Sequence, residues 1–204
     1  MTASETAPRP RLRRDAARTR ALLLDAAGTA IAQHGVNVSL DIIAKGAGVS
    51  KGGLLHHFPT REELLLAVMR HLLAGFDADV ERELESDSQE PGRPGRLVRA
   101  YVNAAFADLL DGDRAREKVT LMGMIGNSPA VEEYVRIDDE KWQERLAADG
   151  LDPLRAEVIT KAADGATGSL LWSRIEPAAY GALQQTLLAM THETGPLLPA
   201  GPTT

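Results

Sequence analysis

The sequence contains no cysteine, which excludes disulfide staples, thiolate nucleophiles and thiolate metal sites and fits a reducing, intracellular setting. Aromatic residues are scarce: three Phe, three Tyr and two Trp. Strands draw on aromatic and β-branched side chains, whereas Ala, Leu, Glu and Arg dominate here, so an all-α fold is expected. No run of about 18 apolar residues offers a membrane span. The N-terminal stretch holds Arg9, Arg11, Arg13, Arg14, Arg18 and Arg20 without an apolar centre, so a cytoplasmic protein without a secretion signal is expected.

The charge is divided unevenly. Residues 1–75 carry ten Lys or Arg against six Asp or Glu, and residues 76–204 carry thirteen against twenty-three. A basic first third on an acidic remainder predicts that one end faces a polyanion while the rest stays off it.

Residues 1–14 have no periodicity and read as a flexible basic arm, with structure beginning near Asp15. Leu23, Ala26, Ala27, Ala30 and Ile31 then draw one stripe along a first helix that Gly35 stops. Ser39 is placed to cap a second helix with Leu40, Ile43, Ala44 and Ala47 inward, and Gly48 to end it. Ser50 caps a third helix whose buried side is Leu54 and Phe58, and Pro59 breaks it. Thr60 and Glu63 form a capping box that opens a long fourth helix through Leu64, Leu65, Val68 and Leu72. The Pro- and Gly-rich stretch 86–95 marks a boundary, and further helices are expected at about 95–110, 114–126, 129–148, 154–174 and 177–193, before a tail from 195. The domains so read are a flexible basic arm (1–14), a helix-turn-helix domain (15–75), a C-terminal dimerisation and effector-binding domain (76–194) and a flexible tail (195–204).

Two short helices joined by a tight glycine turn, residues 39–58, have the spacing that lets one helix cross a DNA backbone while the next enters the major groove. The outward face of the third helix carries Lys51, Gly52, Gly53, His56 and His57, with Leu55 as its one apolar member. Each glycine costs a helix about 1 kcal/mol relative to alanine, and close approach of backbone to a phosphate or base edge is a reason to tolerate them.

Residues 49–64, Val-Ser-Lys-Gly-Gly-Leu-Leu-His-His-Phe-Pro-Thr-Arg-Glu-Glu-Leu, resemble the recognition-helix signature of the TetR family of transcriptional regulators, and the resemblance covers residues 17–75. It implies a nine-helix all-α protein: an N-terminal three-helix DNA-binding domain and a C-terminal body that dimerises and binds a small-molecule effector. It also implies DNA contacts at Ser39, Ser50, Lys51, Gly52, Gly53, His56, His57 and Arg61. The sequence departs from the family pattern at Leu55, where a phosphate-holding tyrosine is usual, and at Gly53, where a hydroxyl or longer side chain is common, so fewer direct contacts per subunit are expected. Lys51 and Arg61 suit phosphates as charge-assisted donors, and Arg11, Arg13 and Arg14 suit a minor groove or a tracked backbone.

In the second part, Tyr101, Phe106, Met122, Ile125, Tyr134, Trp142 and Trp172 are candidates for the lining of an effector pocket. The small residues Ala162, Ala163, Gly165, Ala166 and Gly168, with Tyr180, Leu183, Leu187, Leu188 and Met190 beyond, are candidates for a four-helix interface between two copies. The expected partners are an operator duplex, a second copy and a small molecule, without membrane, cofactor or metal. His34, His71 and His192 lack ligand spacing. Gly48-Val49-Ser50-Lys51-Gly52 matches a nucleophile-elbow pattern in form, but a helix stands where that motif needs a strand, so no enzyme is expected. The alternative is a helical ligand-binding or interaction module that has lost operator binding.

Overall fold

The computed structural model describes residues 10–87, 92–110, 112–172, 177–193 and 195–197. The arm up to Arg9, the tail from 198 and the side chains of Arg11, Arg13 and Arg14 lie outside the described residues. Those residues form helices and no strand: α1 (Pro10–His34), α2 (Leu40–Gly46), α3 (Lys51–His57), α4 (Arg61–Ser86), α5 (Arg96–Leu110), α6 (Gly112–Ile125), α7 (Pro129–Ala147), α8 (Pro153–Gly168), a 3₁₀ turn (Ser169–Leu171) and α9 (Pro177–Met190). The chain divides into two compact units, 1–71 and 72–204, and α4 runs through the division.

The first unit is built by local signals. Leu23, Ala27 and Ile31 of α1 are fully buried, joined by Leu24, Ala30, Ile43, Ala44, Leu54, Phe58, Leu64 and Val68. α1 packs on α2 and α2 on α3. Gly35 and Gly48 turn the chain at φ +85° and +69°, a region open to glycine at no steric cost. Contrary to the expected start near Asp15, α1 is already helical at Pro10, a residue whose fixed φ suits a first helical turn.

In the second unit α5 is the central helix, packed against α6, α8 and α9. Val98, Val102, Phe106, Ile159, Ala163, Leu170, Tyr180 and Leu187 belong to one buried cluster. The N-terminus of α5 is capped from afar: the Leu97 and Val98 N–H groups donate to the two Asp149 carboxylate oxygens at 2.8 and 3.4 Å. α8 ends at Gly168 rather than about 174, because two glycines weaken its last turn and the Ser169 hydroxyl donates to Ala166 O at 2.6 Å. Leu183, Leu188 and Met190 pack on this subunit's own core, as do Ala163, Ala166, Tyr180 and Leu187. The stripe expected to face a second copy is therefore largely internal, since small residues let α8 close onto its own neighbours. Leu154, Val158 and Gly165, four and seven residues apart, share one exposed face of α8 with Lys161, and Glu157 and Asp164 are exposed beside it.

Candidate functional site

In the first unit, α3 is held from one side only. Leu54 and Phe58 are 0% and 2% exposed, and the Arg20 guanidinium lies 5.0 Å from the Phe58 ring centroid, tying the end of α3 to α1. The opposite face, Lys51, Gly52, Leu55 and His56, is exposed, with Gly53 and His57 half-buried. Ser50 Oγ accepts the Gly53 N–H at 3.0 Å, and Ser39 Oγ accepts the Ile42 N–H at 3.4 Å, so both serines close their helices while remaining exposed. A side chain added at Gly52 would meet nothing nearer than 3.9 Å, and one at Gly53 would touch Ser50 Oγ at 3.4 Å. Internal packing therefore does not demand these glycines.

Two of the predicted contact residues are already engaged. Lys51 Nζ donates to Asp41 Oδ2 at 2.8 Å across the α2–α3 turn, and both side chains are at least half exposed. An ion pair so exposed is worth about 0.2–1 kcal/mol, so Lys51 can exchange its partner for a phosphate. Arg61 is placed differently from expectation. Its guanidinium turns inward and donates to Val36 O and Val38 O at 2.8 and 2.7 Å, closing the α1–α2 loop onto the start of α4. That fork geometry is spent on backbone carbonyls rather than offered outward. Ser39, Ser50, Lys51, Gly52, Gly53, His56 and His57 otherwise share the α2–α3 side of this unit.

The second unit holds an apolar cavity of about 400 Å³ between α4, α5, α6 and α8. Leu72 and Phe76 of α4, Val119 and Met122 of α6, and Leu171 form its walls, and Tyr101 and Asp164 supply polar groups. A second, smaller cavity of about 260 Å³ lies between α5, α7 and α8 and contains Trp142. Tyr101 and Asp164 line both, so this pair forms a shared wall. The Tyr101 hydroxyl donates to Asp164 Oδ1 at 2.6 Å. Burial, and after it the Asp164 carboxylate, push the phenol's pKa far above its ordinary value. Burial also holds the Asp164 carboxyl above the usual aspartate range, although the Tyr101 hydrogen bond and Lys161 oppose the shift.

Of the predicted pocket residues, Tyr101 and Met122 line the larger cavity and Trp142 the smaller. Phe106 and Ile125 are instead fully buried packing, 2% and 1% exposed, and Tyr134 lines neither cavity. Trp172 is 87% exposed and belongs to no wall: it stands one residue beyond the 3₁₀ turn, where the chain has left the core. Sequence reasoning missed Phe76, because the apolar run read for α4 ended at Leu72. It also missed Asp164, a lone acid in a run of small residues. No helix of the described residues is long and apolar enough to cross a membrane.

Residues 23–68 match the family described as bacterial regulatory proteins, tetR family, and residues 95–192 match a tetracyclin repressor-like C-terminal domain. The HTH-type transcriptional regulator BetI of Pseudomonas paraeruginosa is 30% identical over 159 residues, spanning 76% of this chain and 80% of the relative. A TetR-family transcriptional regulator from Rhodococcus sp. shares the fold with a TM-score of 0.65 at 22% identity, over 86% of this chain and 99% of that one. The multidrug binding protein EbrR, solved with malachite green, superposes with a TM-score of 0.64 at 24% identity, over 84% and 97% of the two chains.

Proposed function

The chain belongs to the TetR family of DNA-binding transcriptional regulators, and from that premise we propose that it is a repressor released from a palindromic operator by a small-molecule effector. Two copies offer α3 to successive major grooves, about 34 Å apart on one side of the duplex. The observation that carries this reading is the one-sided anchoring of α3: Leu54 and Phe58 hold it inward while Lys51, Gly52 and His56 stand exposed beside the capped start. Helix-start N–H groups, hydroxyls and Lys51 suit phosphate, and His56 is positioned to reach base edges.

The effector site is the cavity of about 400 Å³, whose size and mostly apolar walls suit a small organic ligand. EbrR, with its bound dye, supports a ligand-holding body in this fold. α4 carries Leu72 and Phe76 on the cavity wall and Leu64 and Val68 in the core of the first unit, so a ligand that displaces Phe76 acts on a helix common to both. A ligand that favours one placement of Phe76 over another shifts the population of α4 toward it. Dimerisation runs through the outward face of α8 at Leu154, Val158 and Gly165 together with α9.

Selection of bound sequences from random duplex DNA tests the reading. An enriched palindrome with half-sites one helical turn apart supports it, and recovery of no common sequence refutes it. The module that has lost operator binding is not favoured, given matches to DNA-binding regulators over both halves of the chain.

A further inference from the structure

The walls of the larger cavity are apolar except for a few groups whose partners can be accounted for. Thr167 Oγ1 donates back to Ala163 O at 3.3 Å. Lys118, the one basic side chain on the described wall, already has an interaction of its own. Asp164 is different: Oδ1 accepts from Tyr101, whereas Oδ2 accepts no hydrogen bond among the described residues, and Lys161 Nζ stays 3.8 Å away, equally distant from Asp139. The Asp164 side chain is 44% exposed, so Oδ2 is open to a donor that enters the cavity, and a charged N–H donor suits a carboxylate best.

The surroundings favour the same sign of charge. The Tyr101 ring packs edge-on against Phe76 at 5.0 Å and Trp142 at 5.2 Å between centroids. Aromatic faces attract cations. Asp138 and Asp139 join Asp164 in acting on the Tyr101 hydroxyl, and Lys161 acts on Asp164. An anionic head group entering here meets repulsion, and a neutral one leaves the carboxylate field unanswered.

Taking the cavity as the effector site proposed above, we infer that its ligand is a protonated amine on an apolar chain, with the ammonium group donating to Asp164 Oδ2 beside the Tyr101 ring and the chain lying along Phe76, Val119, Met122 and Leu171. Asp164 is then the residue that selects the class of effector.

Calorimetry on the full-length protein with octylammonium, 1-octanol and octanoate separates charge from chain, because the three share one tail. Octylammonium is expected to bind at least about tenfold more tightly than octanol, a difference of about 1.4 kcal/mol, with octanoate weakest. Asp164→Asn keeps an acceptor for Tyr101 and brings the amine to the level of the alcohol. Tyr101→Phe frees Oδ1 and keeps the ring, so amine binding strengthens in that variant. Equal binding of amine and alcohol, preference for octanoate, or an amine preference that survives Asp164→Asn overturns the inference and leaves the cavity as an effector site. Binding of none of the three overturns the cavity assignment as well.

Discussion

Replacing Asp41 by Asn is expected to tighten operator binding, an outcome opposite to that of most changes at a DNA-binding surface. Asp41 holds Lys51 Nζ at 2.8 Å, on the side of the first unit proposed to meet the duplex. Before Lys51 reaches a phosphate it must leave that carboxylate, which costs about 0.2–1 kcal/mol for a pair this exposed. A dimer breaks two such pairs, about 0.4–2 kcal/mol in all, so the substitution lowers Kd by about two- to thirtyfold. The slope of log affinity against log salt should also steepen, by up to about 0.9 per subunit, as each Lys51 becomes fully available for counterion release. Asp41 lies in the first turn of α2, where an acid favours the helix dipole by about 0.3–1 kcal/mol, so a small fall in Tm accompanies the gain. Fluorescence anisotropy with the selected operator, titrated across salt concentrations, reads both effects. A folded Asp41→Asn protein with unchanged affinity and slope, or a Lys51→Ala protein that binds as the parent does, refutes the assignment of Lys51 to a phosphate.

Arg61→Lys keeps the charge but cannot hold the Val36 and Val38 carbonyls together, so it should lower stability by about 1–3 kcal/mol in urea unfolding, with little change in salt slope. Parental stability would return Arg61 to the list of DNA contacts. Val158→Arg places a charge on the outward face of α8 and is expected to give monomers in sedimentation, with operator affinity lost and Tm nearly unchanged; a persistent dimer excludes that face. Asp164→Asn should raise Tm at neutral pH. The folded-state pKa of Asp164 is raised by burial, so its contribution favours the fold when protonated at low pH and is lost as pH rises through the folded value. The Tm difference between variant and parent therefore shrinks on acidification into the carboxylate range. A difference independent of pH speaks against a desolvated carboxylate.

The elements of the first unit could be read in the sequence because their causes are local. Ser39, Ser50 and Thr60 each accept an N–H three residues on, and the Leu23–Ala27–Ile31 stripe needs nothing but helical period to find the core. Arg61 escaped because its partners are carbonyls 23 and 25 residues back, brought near by a loop that no propensity describes. Asp164 escaped for the same reason at greater range: its partner Tyr101 is 63 residues away. Trp172 shows the limit from the other side. A large apolar ring predicts burial on average, yet nothing in its neighbours says that the helix ends at Gly168 and carries the ring out of the core. Helix boundaries around α8 and the direction in which its small residues face are properties of packing among α5, α8 and α9, which single-sequence periodicity does not encode.

The glycines that open α3 leave two unfurnished positions on the face proposed to meet the operator. Since neither is required by the interior, alanine or serine there should be accepted by the fold and even strengthen the helix, by about 0.5–1 kcal/mol for alanine. The regulator thus spends little of its side-chain vocabulary on naming bases at these sites, and new operator preferences are within reach of one or two codon changes that leave the scaffold intact.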